Sequence, residues 1–244
     1  TGEVMAIERT FEAALMKAIR SLEQRQPAAA ELEDPALIDE PNDRRLFALL
    51  HALRGGARPE ELALRSGWDP WFLDRLMRIV EVERSTDPHE LRQTGFSDSQ
   101  IEQLTGARPP AAEPTYKLVD TCAAEFEAAT PYYYSCWEEE SEAAAPAGER
   151  TVLVVGSGPI RIGQGIEFDY CSVHAAWALR ESGVSAVMAN SNPETVSTDF
   201  DTSDRLYFEP LDFDAARQVA SVEAVHGAVV QFGGQTAINL ADPL

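Results

Sequence analysis

The sequence predicts a mixed fold: an all-α helical domain followed by an α/β, Rossmann-like domain built on a mainly parallel sheet. From Asn42 to about Gly106 the chain is punctuated by helix caps and glycine stops, with apolar residues at helical spacing. From Thr151 onward short apolar runs alternate with amphipathic stretches in a βαβ order, which implies right-handed crossovers and parallel pairing. A length of 244 residues leaves room for both units, each with its own core.

The opening run Val4 to Ile7 is apolar and strand-like. It leads into TFEAALMKAIRSLEQ, where Phe11, Leu15, Ile19 and Leu22 recur at helical spacing and Thr10 is the expected N-cap. The polar stretch from Gln24 to Pro41 is proline-bounded and reads as a linker. Asn42 or Asp43 then caps RRLFALLHALR, which Gly55 and Gly56 terminate; Pro59 opens the next helix and Gly67 closes it. Asp69-Pro70 starts WFLDRLMRIVEVER, with Phe72, Leu76, Ile79 and Val80 on one face. After Pro88 comes a short turn of helix to Gly95, and Ser97 with Gln100 forms a capping box before IEQLTG. Tyr132, Tyr133, Tyr134 and Trp137 read as packing residues, and the acidic, alanine-rich run after them as a solvated linker. The second unit then runs TVLVV, a glycine loop, the helix EFDYCSVHAAWALRESG with His174 packed in it, the strands VSAVMAN and RLYFEP, a helix near DFDAARQVASVEA, and GAVVQF.

Acidic residues outnumber basic ones by 41 to 20, a formal charge of -21, which repels nucleic acid and anionic membranes. The helical stretch holds arginines (Arg44, Arg45, Arg54, Arg58, Arg65, Arg75, Arg78), as a helix-turn-helix DNA reader would. Acidic residues are interspersed, however, and no helix has a clean basic face, so no nucleic-acid or membrane partner is expected. Lys17 and Lys117 are the only lysines, and this acid-rich, lysine-poor balance resembles the proteins of salt-accumulating microbes. Cys122, Cys136 and Cys171 form no CxxC and read as reduced, mostly buried thiols of a cytoplasmic protein; no metal-ligand spacing occurs. The first and last residues both read as cuts from something longer.

Three loops leave the carboxyl ends of the predicted parallel strands, where ligands gather in such sheets: Gly156 to Gly165, Asn190 to Thr195, and Gly233-Gly234-Gln235-Thr236. All three should line one crevice. A dinucleotide fingerprint fails because Arg161 stands at the third glycine position and the second strand ends on Asn190 rather than an acid; a Walker loop fails for want of Gly-Lys-Ser/Thr. What remains is a glycine-bracketed loop carrying a guanidinium, with Gln164 and Glu167 at the helix entrance, suited to a small planar anion or a neighbouring domain. A tight strand-to-helix turn is the simpler explanation of the same glycines.

VVGSGPIRIGQGIEFDYCSVHAAWALRESG, NSNPETVSTDFDTSDRLYFEPL and VVQFGGQT together resemble the start of the second half of carbamoyl phosphate synthetase large subunits. GEVMAIERTFEAALMKAIRSLE resembles the end of that family's first ATP-grasp half. DPWFLDRLMRIVEVE through VDTCAAEFEAATPYYYSCWEEE resembles its oligomerization domain. Glu8 stands where the family usually has glycine. The resemblance implies an ATP-grasp tail at 1–24, a linker at 25–41, an oligomerization domain at 42–140, a linker at 141–150 and a pre-ATP-grasp domain at 151–244. It further implies a part in making carbamoyl phosphate from bicarbonate, ammonia from glutamine and two ATP, for pyrimidine and arginine biosynthesis. In that enzyme ATP and magnesium or manganese are bound, a glutaminase small subunit is a partner, and the helical domain mediates homo-oligomerization. This chain alone is expected to bind no cofactor or metal and to be inactive. Arg161, Gly165 and Glu167 match the mouth of a carbamate passage, and Gly163, Gln164, Asn192, Pro193, Glu194 and Thr195 match loops near it; Gly233, Gly234 and Gln235 complete the expected lining. The competing readings are a free-standing scaffold reusing these folds and, third, a dinucleotide-dependent oxidoreductase.

Overall fold

Thr10 caps the first helix: its Oγ1 accepts from the Ala13 N–H at 3.2 Å, and α1 runs Phe11–Ser21. The computed structural model to which this belongs describes residues 3–143, 146–161 and 165–244. A four-residue helix, α2 (Ala36–Asp39), follows, and then α3 (Arg45–Arg54), α4 (Pro59–Ser66) and α5 (Pro70–Val82). Proline at the first position begins α4 and α5, and Gly67 ends α4 at φ 72°, a left-handed conformation open to glycine at little cost. The layer closes with α6 (Pro88–Gln93) and α7 (Asp98–Thr105), whose Ser97 and Gln100 cap each other reciprocally at 3.0 and 3.2 Å. Leu49, Leu53, Leu73, Leu76, Ile79 and Leu91 meet in one fully buried core.

The sheet begins with β1 (Thr115–Leu118) and β2 (Tyr132–Cys136). It continues through β3 (Thr151–Val155), α8 (Glu167–Glu181), β4 (Ser185–Asn190), β5 (Arg205–Phe208), α9 (Phe213–Val222), β6 (Gly227–Val229) and α10 (Gly234–Ile238). Six strands form one sheet in the order β1-β2-β5-β4-β3-β6. β1 runs antiparallel to β2, and the other pairings are parallel.

The expected fold, an all-α domain followed by a separate parallel sheet, is thereby overturned. The sheet is mixed, and its first two strands come from the stretch expected to be helical. The cause lies in the aromatic run: Tyr116 packs edge-on against Tyr207 at 5.0 Å and Tyr133 stacks on it at 5.5 Å, contacts that a pleated surface provides. Other expectations also change. Val4 to Ile7 forms no strand, and Met5 N–H donates to Ser191 O at 2.8 Å just beyond β4. The expected linker contains α2 and buries Leu32 and Ile38 in the helical core. Of the thiols only Cys136 is buried, and His174 is exposed between the rings of Tyr170 and Trp177 at 4.5 and 5.4 Å.

Helical layer and sheet are joined by polar contacts rather than a linker. Asp214, buried at the start of α9, accepts from Ser99 N–H and Oγ at 2.9 and 2.7 Å and from Arg108 at 2.6 Å. Lys17 of α1 donates to Ser135 O of β2 at 2.6 Å. Among the described residues no helix is long and apolar enough to cross a membrane.

Candidate functional site

The strand order reverses at β3. β4 and β5 lie to one side of it and β6 to the other, so the loops after β3 and β6 face each other across a switch point. They touch by backbone: a Cβ on Gly233 would stand 2.2 Å from Gly156 O and 2.6 Å from Val155 O, so only a hydrogen fits there. Gly158, in the first loop, has φ 64°, a left-handed conformation.

The third loop is tied in by Asn190, the last residue of β4 and fully buried. Its Oδ1 accepts from the N–H groups of Gly158, Ser191 and Asn192 at 3.0, 2.9 and 3.2 Å, and its Nδ2 donates to Ser197 Oγ at 2.9 Å. Asn192 donates back to Gly158 O at 3.3 Å, and its Oδ1 accepts from Glu194 N–H at 3.0 Å. Asp169, buried in the first turn of α8, accepts from both the N–H and the hydroxyl of Ser197. A buried amide and a buried carboxylate thus lock the loops after β3 and β4 to the start of α8. Neither Asn190 nor Asp169 was singled out as a site residue; the only sequence signal was a polar residue ending an apolar strand and an acid just inside a helix.

Arg161 stands at the lip of this crevice, its Nη2 2.7 Å from Glu23 Oε2. Glu23 belongs to the segment after α1 and adopts a left-handed φ of 51°. Its Oε2 also accepts from Thr236 Oγ1, in α10, at 3.0 Å. Burial pushes the Glu23 carboxyl up, and Arg161 offsets this only in part. A Cβ on Gly165 would meet Glu167 Oε2 at 1.9 Å, which places the carboxylate of Glu167, the first residue of α8, directly over that glycine. Pro193 is half-buried and Glu194 exposed. Gly234 begins α10 at φ 72°, and Gln235 is exposed and donates to Asn239 at 2.7 Å along its own helix. Gly163 and Gln164 lie outside the described residues. Ser157 Oγ, Ser191 Oγ and Thr195 Oγ1, all on these loops, are buried with no partner among the described residues.

The arrangement offers a guanidinium, spare hydroxyls and bare backbone beside two carboxylates. That is chemistry for holding a small oxyanion, not for attacking one. Among the described residues no three His, Cys, Asp or Glu side chains are grouped to hold a metal.

Two family profiles match the chain: "Carbamoyl-phosphate synthetase large chain, oligomerisation domain" over residues 3–116, and "Carbamoyl phosphate synthase preATP-grasp domain" over residues 148–244. The first takes in the opening segment as well as the helices. The chain is 50% identical over 263 residues to the carbamoyl phosphate synthase large chain of Methanothermobacter thermautotrophicus and 49% over 268 residues to that of Methanothrix thermoacetophila. It is 46% identical over 274 residues to that of Nostoc sp.. Each alignment takes in the whole chain but only 24–25% of the relative, so the chain spans about a quarter of their length.

Proposed function

Because the chain belongs to the carbamoyl phosphate synthase large-chain family, we propose that its crevice lines the entry of a carbamate passage into the second phosphorylation site of the complete subunit. The complete subunit is then an ATP-dependent carbon–nitrogen ligase that makes carbamoyl phosphate from bicarbonate, glutamine-derived ammonia and two ATP, working with a glutaminase small subunit. Nucleotide and divalent metal supply phosphoryl activation elsewhere in that subunit. The residues of this chain bind and steer the anion. The observation that carries the proposal is the meeting of the loops after β3, β4 and β6 around Arg161, with Asn190 tying two of them together. Arg161 offers a positive charge to a passing carbamate, and the bare Gly165 lets the Glu167 carboxylate lie against its backbone. The helical layer, 42–106, serves assembly of the subunit with further copies. A free-standing scaffold is not favoured, since the large-chain matches run the full length of the chain.

Substitution at Gly165 in the complete enzyme tests this. Gly165→Leu should keep ATP hydrolysis at the first site while carbamoyl phosphate output falls at least about tenfold, because a branched side chain must displace Glu167 and fill the lumen. Gly165→Ala adds one methyl against the mobile end of Glu167 and should be milder. Wild-type coupling of carbamoyl phosphate made to ATP hydrolysed in the leucine variant would refute the passage.

A further inference from the structure

Glu23 reaches the crevice from the far end of the sequence: its partners are Arg161, 138 positions on at 2.7 Å, and Thr236, 213 positions on at 3.0 Å. Its carboxylate stands where a βαβ sheet receives anions, beyond β3 and beside α10. Oε1 faces Gly158 so closely that a Cβ there would come within 3.1 Å, yet among the described residues that oxygen, buried, has no hydrogen-bond partner. Among the described residues Arg161 Nη2 likewise has no aligned acceptor despite its short distance to Glu23, so this is a charge contact rather than a formed fork. The carboxylate is half-satisfied, and the residue bearing it is held in a left-handed backbone conformation that non-glycine residues seldom adopt.

Resting on the passage reading above, we propose that Glu23 is a resident counter-anion: its carboxylate occupies the oxyanion position on Arg161 and Thr236 and is exchanged for the passing carbamate. A planar oxyanion of similar size can take both contacts in place of the Glu23 carboxylate. The exchange keeps Arg161 from holding a stray anion between turnovers. Glu23 is therefore a positioning residue that sets how tightly the crevice binds, and reducing its charge should make the crevice bind anions too well.

Nitrate, a planar monoanion inert to phosphoryl transfer, is the probe. In the complete large chain with its glutaminase subunit, carbamoyl phosphate formed per ATP hydrolysed is followed against nitrate, with chloride at equal ionic strength as reference. Glu23→Gln should lower the nitrate concentration that halves coupling by about tenfold, about 1.4 kcal/mol, with no matching change in the chloride series. Glu23→Ala vacates the position while leaving Arg161 and Thr236 in place, and should move the midpoint the same way; it decides the matter if Glu23→Gln fails to fold. Equal nitrate midpoints in wild type and in a folded Glu23 variant, with Arg161→Met uncoupled, would overturn the exchange while leaving the passage standing. Normal coupling in Arg161→Met would instead remove the passage reading itself.

Discussion

Glu8 brings a second carboxylate to a lysine that already has one. Lys17, on α1, lies 3.4 Å from Glu8 Oε1 and 3.5 Å from Glu209 Oε1, and all three side chains are 5% exposed or less. One positive charge faces two negative ones away from water, so one carboxylate is always short of compensation. Burial pushes the Glu8 carboxyl above its usual value, and Lys17 counters this only in part. The sign follows: a carboxyl raised in the folded state adds stability that is full below its unfolded pKa, near 4.5, and is lost as pH rises through the folded value. Glu8→Gln removes that loss while leaving Lys17 paired with Glu209. The variant should gain about 1 kcal/mol at pH 7, or roughly 3 °C in melting temperature, and the gain should shrink to nothing as the pH approaches 4.5. Melts of both proteins across that range would decide it; a variant less stable at pH 7 would show that the carboxylate is net favourable. The resemblance pointed to Glu8 as an unusual residue, but its partner on α1 and the second carboxylate on the sheet became visible only in three dimensions.

Helix α6 docks on α1 through a residue with no side chain. Gly95 has φ 93°, and a Cβ there would lie 2.7 Å from Ala13 O and 2.9 Å from Met16 Cβ, the first of them rigid helix backbone. Gly95→Ala combines a disfavoured conformation with an overlap that only separating the helices relieves, so it should cost about 3 kcal/mol in denaturant unfolding. Gly56→Ala, with φ 93° but open space, should cost nearer 1 kcal/mol, which separates crowding from backbone strain. On the outer side α4 and α5 expose Leu64 at 88%, Trp71 at 49% and Phe72 at 40%. If this face carries the proposed assembly, Leu64→Asp, at the most exposed of the three, should shift sedimentation of the complete subunit to smaller species without lowering the melting temperature of the chain. Unaltered sedimentation would move the contact elsewhere. Caps, proline starts and glycine stops write themselves in neighbouring residues, so α3 to α7 could be read directly from the sequence. β1 and β2 could not, because a tyrosine-rich run becomes a strand only when Tyr207, some 75 to 90 positions later, is there to pack on. The crevice was legible to the same limit: the three loops could be found, but Glu23, Asp169 and the bonds that Asn190 makes enter through contacts that no local pattern encodes.

At the scale of the whole molecule, 41 acidic side chains share the fold with 20 basic ones, so 21 negative charges have no basic counterpart anywhere in the chain. Salt acts on this in two opposing ways. It weakens exposed pairs such as Arg25–Glu31 and Arg9–Glu138, which are worth about 0–1 kcal/mol each, but it barely touches buried ones such as Arg92–Asp98 at 2.8 Å. It also weakens the mutual repulsion of the unpaired acids, which grows as the square of the net charge and is larger in the compact state than in the unfolded one. With a net charge this high the second effect dominates. The screening length falls from ~30 Å at 0.01 M to ~3 Å at 1 M, from beyond the spacing of surface charges to within it. Relief of a few kcal/mol of repulsion corresponds to a rise of about 10 °C in melting temperature for a chain of this size. Melting temperatures of the chain from 0.01 M to 1 M potassium chloride at pH 7 should climb and then level off, and potassium chloride and caesium chloride should act alike because screening depends on ionic strength rather than on ion identity. A flat or falling curve would mean that screening of the ion pairs, Asp214 with Arg108 among them, outweighs the repulsion that salt removes.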